Sequence, residues 1–323
     1  MTETPPDPAT GTSARRSVLD ILRWVLLAVV LVAVGAALWR NWAEVRTELS
    51  RLDAVTALVS LVLALLSPVL TMLGWRVVLA DLGSPLHLAP AGGIFYVGQL
   101  GKYLPGSVWS VLAQAEMGAR LGIPRRRAAV TGVVVLGMSL LTGGFVGLAA
   151  LPALLGHGGD YPWWLIVVVL VLGAVVVAPP VLNRIVALGL RLLRRPPLEH
   201  ALSTRAVLVA VSWFVGAWLV MGLAVWVVAR SLAPAGSDGA RLLLVSVCGF
   251  SLAGVLGMVS FLVPAGVGVR DGVLLLLLAG LVPQPVGIAI AVISRFETVL
   301  VDVLCAAFGW WWARRHRLLG SRS

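Results

Sequence analysis

Apolar residues run along this chain in blocks too long for a soluble core. The blocks cover 24–39, 54–80, 128–151, 162–182, 206–232, 242–282 and 286–312, with short polar stretches between them. A helix rises about 1.5 Å per residue, so roughly 20 apolar residues cross a bilayer. The pattern predicts an all-α polytopic membrane protein. Two stretches break the rule. Residues 89–115 are Gly-rich and carry Pro105-Gly106 near the middle. Each arm of that stretch is too short to cross as a helix, which suits a re-entrant hairpin. The tract 242–282 is interrupted by Pro264-Ala265-Gly266-Val267-Gly268, where a helix cannot continue cleanly. The expectation is about six transmembrane helices plus two re-entrant broken-helix hairpins. Eight spans are the alternative, because the arm 242–262 is long enough to cross.

Charge placement adds orientation. Arginines gather before residue 24, at 120–127, at 183–205 and after residue 313, while 152–161 and 233–240 hold no Lys or Arg. Basic loops stay in the cytoplasm. Both termini are therefore expected on the cytoplasmic side of the cell (plasma) membrane, with one hairpin entering from each side. Opposed hairpins at matching places in two halves are what an inverted repeat produces. The expected repeats are about 54–151 and 206–312, inside one transmembrane domain at 18–313. Residues 1–17 read as a disordered tail and 314–323 as a basic one.

Composition narrows the function. The 323 residues are 59% hydrophobic and 12% charged, with a net charge of +11. Most of the basic residues sit in short loops and tails, which points to anionic headgroups and away from nucleic acid. The two cysteines lie in apolar spans, so neither a disulfide framework nor a Cys-based metal site is expected. The histidines lie in loops and the tail without metal-ligand spacing, and no phosphate-cradling nucleotide motif appears. No catalytic set, cofactor or metal is assigned.

Candidate chemistry lies in ions surrounded by apolar residues, which are costly and by default functional. Arg270 and Asp271 follow the second break directly; Gly266 and Gly268 sit within it. A helix beginning there aims free N–H groups at an anion, and Arg270 adds a forked cation. Arg295 and Glu297 lie inside the last span and point about 200° apart, so each needs another partner. Asp271 or Arg270 is the expected one; Asp302 is expected near Arg76 or a helix end. Near the first break stand Lys102, the only lysine, and Glu116 and Arg120, which share a helical face. The set expected to bind substrate is Arg270, Asp271, Arg295, Glu297, Gly266, Gly268, Glu116, Arg120 and Lys102.

The runs Tyr103-Leu104-Pro105-Gly106 and Val263-Pro264-Ala265-Gly266-Val267-Gly268-Val269-Arg270-Asp271, followed by Arg295, resemble the lysylphosphatidylglycerol synthase transmembrane family. That family is flippase-like and usually shows Pro-Gly-Gly-Leu-Gly-Val and then Arg-Glu; here Ala265, Val267 and Asp271 depart from it. The resemblance implies a protein that moves or presents a lipid or polyprenyl-linked substrate. The alternatives are a membrane-embedded lipid-modifying transferase, or a scaffold for an envelope glycosyltransferase, which is then a candidate partner. The chain ends soon after its last span, so aminoacyl transfer by a soluble synthase domain is not expected of it.

Overall fold

The computed structural model describes residues 39, 42–103, 109–148, 179–192, 194–196, 198–260, 266 and 268–315, with isolated positions between 164 and 178. The expected first span and the centres of both proline motifs (104–106, 261–265 and 267) lie outside the described residues.

The described apolar blocks form helices. We number them α1 (Trp42–Ser50), α2 (Ala54–Asp81), α3 (Leu88–Gln99), α4 (Trp109–Ala119) and α5 (Arg125–Leu148). Then come α6 (Pro179–Leu192), α7 (Thr204–Leu232), α8 (Gly239–Val259), α9 (Val269–Leu278) and α10 (Gln284–Arg315). Helices α2, α5, α7 and α8 are long and apolar enough to cross a membrane. This is an all-α, multi-pass membrane protein.

Helix starts follow their caps. Asp53 accepts the backbone N–H groups of Val55 and Thr56 and so opens α2. The Thr56 hydroxyl and N–H hold that carboxyl below its usual value. Asp238 opens α8 in the same way, through Ala240 and Arg241. Helix α2 stays continuous through Pro68. Proline has no N–H to give, so the Ala64 carbonyl loses its helical partner there. Helix α8 contains a π turn at Val245–Gly249. There α7 comes so close that a Cβ on Gly222 would lie 2.5 Å from the Val247 Cα.

The 12 residues of α3 and 11 of α4 span about 18 Å each, short of a bilayer core. The 10-residue α9 is shorter still, whereas α8 reaches about 30 Å, so the longer arm anticipated at 242–262 is real.

Packing runs in matched pairs. Helix α2 lies on α7; α3 packs on α10 as α8 packs on α5; α4 packs on α5 as α9 packs on α10. Likewise α3 meets α4 as α8 meets α9, and α2 meets α5 as α7 meets α10. Glycines permit the closest of these contacts. The Trp312 ring fills the space where a Gly93 Cβ would stand, and the Trp218 ring does the same at Gly143 and Gly254.

One end of the bundle is tied by arginine. Arg127 donates to the Gly83 carbonyl and the Ser84 hydroxyl, both at 2.7 Å, and pairs with Glu199. Asp81 accepts from Ser203 at the start of α7, and Arg76 donates to the Leu86 carbonyl at 2.6 Å. Arg76 is therefore held by a backbone carbonyl. The opposite end gathers Thr47 and Arg51 of the first segment, Ser231–Ala235 and Pro283–Val286 around a shared hollow.

Candidate functional site

Helix α10 supplies three ionisable side chains to the membrane domain, and each finds its partner on a different segment. Arg295 and Glu297 are two positions apart, so they face opposite ways. Arg295 faces α9 and lies 3.9 Å from Asp271. Glu297 faces α2, where its carboxyl meets the Ser60 hydroxyl. Asp302 faces the first break: it accepts from Lys102 Nζ at 2.8 Å and from the Tyr103 hydroxyl. The sequence had suggested Arg76 or a helix end for Asp302; packing across helices chose Lys102 and Tyr103.

At the second break the chain reverses through two positive φ angles, +61° at Gly266 and +79° at Gly268. Only glycine takes such angles at little cost. Crowding adds to the demand at Gly266, where a Cβ would lie 2.9 Å from the Gly257 Cα. Helix α9 starts immediately, and Asp271 accepts the free Gly268 N–H at 3.2 Å. The same carboxylate accepts from Arg270 through Nε at 3.2 Å and Nη2 at 3.1 Å. Arg270 also donates to Thr298 Oγ1 at 3.3 Å, and its guanidinium lies 5.4 Å from the Phe250 ring centre. Only 7% of Arg270 is exposed. One carboxylate thus serves two guanidinium groups.

These two ion clusters share one cavity of about 380 Å³. Lys102, Tyr103, Gly266, Arg270, Arg295 and Asp302 all contribute to its wall. Opposite them the wall carries hydroxyls and amides from α2, α4 and α5, such as Thr71, Ser110 and Gln114. Lys102, Arg270 and Arg295 supply three positive charges, against the carboxylates of Asp271 and Asp302. Among the described residues the site therefore sets three cations against two acids, a balance that an anion complements.

The model of a family described as "Lysylphosphatidylglycerol synthase TM region" matches residues 24–306, which covers both breaks and the cavity. The chain belongs to that family. No curated protein matches it.

In this family member the expected site residues divide into three groups. Arg270, Arg295, Lys102 and Gly266 line the cavity. Asp271 and Gly268 support it from the start of α9, by ion pair and by cap. Glu297, Glu116 and Arg120 lie elsewhere. Glu116 is exposed and takes two hydrogen bonds from Arg125, at 2.9 and 3.0 Å. Arg120, four residues on from Glu116, sits in the turn closing α4. Sequence reasoning left out Asp302, Tyr103, Thr298 and Phe250. A usable signal existed for Asp302: it lies seven residues after Arg295, two helical turns along nearly the same face.

Proposed function

We propose that this protein moves or presents an anionic lipid across the membrane in a flippase-like manner, holding the headgroup phosphate at Arg270 and Arg295. The observation that carries this reading is the cavity with its surplus cation. Its volume sits near the lower end for ligand pockets, about 300–1,000 Å³, which suits a headgroup while the chains stay in lipid. Arginine matches a phosphate bidentately, and such charge-assisted bonds are roughly twice as strong as neutral ones. A phospholipid and a polyprenyl phosphate both present this chemistry. The family's name, which links it to lipid handling, is consistent with either.

The same reading includes the architecture. We take α3–α4 as a re-entrant hairpin, α8–α9 as its counterpart with one arm, α8, long enough to cross, and α2–α5 and α7–α10 as an inverted repeat. The matched packing pairs support this, as does the placement of α3 and α4 between loops tied at one end. The arginine-bound end is assigned to the cytoplasm of the cell membrane, together with both termini.

The test is flux of a fluorescent anionic phospholipid in proteoliposomes. Arg270→Ala and Arg295→Ala should each slow it about tenfold or more, the size of one lost charged hydrogen bond. Unchanged flux in both variants, with normal folding, removes the phosphate role.

A further inference from the structure

Glu297 stands apart from the ions that line the cavity. It lies between α10 and α2, is 5% exposed, and makes no ion pair among the described residues. Its Oε2 has no hydrogen-bond partner, and its only contact of that kind is the fully buried Ser60.

Donor bookkeeping decides which group gives the hydrogen. A serine hydroxyl owns one hydrogen and two lone pairs. Ser60 Oγ sits within bonding reach of both the Ala57 carbonyl, at 3.1 Å, and Glu297 Oε1. Both of those oxygens accept if Glu297 is ionised, so one contact would be empty. The charge would then rest on a single hydrogen bond, worth about 1.5–3 kcal/mol, against a burial cost of several kcal/mol. A protonated carboxyl resolves both problems. Its O–H donates to Ser60, and Ser60 donates onward to Ala57.

The surrounding ions are already committed. On α10, Arg295 turns to Asp271 and Asp302 turns to Lys102 and Tyr103. On α9, Arg270 is engaged by Asp271 and Thr298. Arg51 of the segment before α2 pairs with Glu48 of α1. Helix α3 brings only the phenol Tyr96, and α7 carries its arginines, Arg205 and Arg230, close to its two ends. Arg46 of α1, which also packs on α10, is exposed, and among the described residues no ion pair holds Glu297 as an anion.

We propose that Glu297 is a proton-binding site of the membrane domain, neutral in this conformation and able to ionise when α10 shifts away from α2. Ala64 and Val301 lie one helical turn from Ser60 and Glu297, and both line the cavity. The proton therefore sits one turn from the headgroup site, on the helix that carries Arg295. A rearrangement that wets the cavity wall would open a route for its release. That link to lipid movement rests on the function proposed above; the proton itself does not.

Infrared spectroscopy of the whole protein in nanodiscs tests the proton directly. With ¹³C-labelled glutamate, a protonated-carboxyl C=O band at neutral pH is expected, and Glu297→Gln should remove it. Ser60→Ala should move the band to higher frequency, since the carboxyl loses its acceptor. If Glu297→Gln does not fold, the labelled wild type still decides, because aqueous glutamates are ionised at that pH. No such band in the wild type overturns the proposal. Flux then tests the coupling: Glu297→Gln should flatten the pH dependence of lipid movement. A steep dependence unchanged in that variant overturns the coupling, whereas no flux in the wild type at any pH strikes the transport reading and leaves the proton assignment standing.

Discussion

The two breaks in this membrane domain solve the same problem in different ways. At the first, the helix tightens into a 3-10 turn over Leu100–Tyr103. Its cation, Lys102, is a third exposed and reaches a carboxylate on another helix, Asp302. At the second, cation and anion are sequence neighbours: Arg270 and Asp271 bind each other at a helix start, and Arg270 is nearly buried. The first cluster balances one cation with one acid. The second sets two cations against one. The difference assigns roles. On the function proposed above, the first break is a tie between the chain at Lys102 and α10, and the second is the anion site.

The strongest challenge to that contrast is to neutralise each acid. Asp271→Asn leaves a buried guanidinium without its counter-charge, which in buried pairs costs about 3–5 kcal/mol. Asp302→Asn frees a lysine that water can still reach, and its cost should be nearer about 1–2 kcal/mol. Thermal unfolding of the detergent-solubilised protein measures both. Equal losses would mean that the two clusters are alike.

Gly266 offers a sharper test of the second break. Alanine there must adopt φ near +61° and place a Cβ against the Gly257 backbone. Left-handed backbone costs about 1–2 kcal/mol for an L residue, before any clash. Gly257 also packs on the Arg270 Cβ, at 3.1 Å from its own Cβ position. Gly266→Ala should therefore lower the Tm and weaken retention of anionic lipid together. A loss of stability with lipid retention intact would separate the backbone turn from the anion site.

Much of this arrangement can be read from the sequence, and the limits have physical causes. Proline and glycine inside apolar runs mark both breaks, because a helix cannot pass through them unaided. The opposite faces of Arg295 and Glu297 follow from 100° per residue, and the structure keeps them apart. Partner choice is harder. Asp302 could have met any cation at its depth, and the packing of α3 and its turn on α10 brought Lys102 and Tyr103. Glu116 also meets Arg125 across a turn, a contact that helical spacing does not give, since the loop after α4 folds back. Ser60, an ordinary polar residue in an apolar span, gave no sign that it faces Glu297.

The smallest effects should come from the neutral groups that complete each cluster. Tyr103→Phe removes a hydroxyl that donates to the Asp302 carboxylate, a charge-assisted bond worth about 1.5 kcal/mol. Thr298 has already given its own hydrogen to the Ser294 carbonyl, at 2.7 Å, and only accepts from Arg270, at a long 3.3 Å. Thr298→Val should therefore cost about 0.5 kcal/mol at most. The order matters more than the sizes. If the first break is a tie, its hydroxyl is structural, so Tyr103→Phe should lower the Tm without changing how tightly anionic lipid is retained. If the second is an anion site, freeing Arg270 from Thr298 should leave the Tm almost unmoved while lipid retention changes. The reverse pattern would exchange the roles of the two breaks.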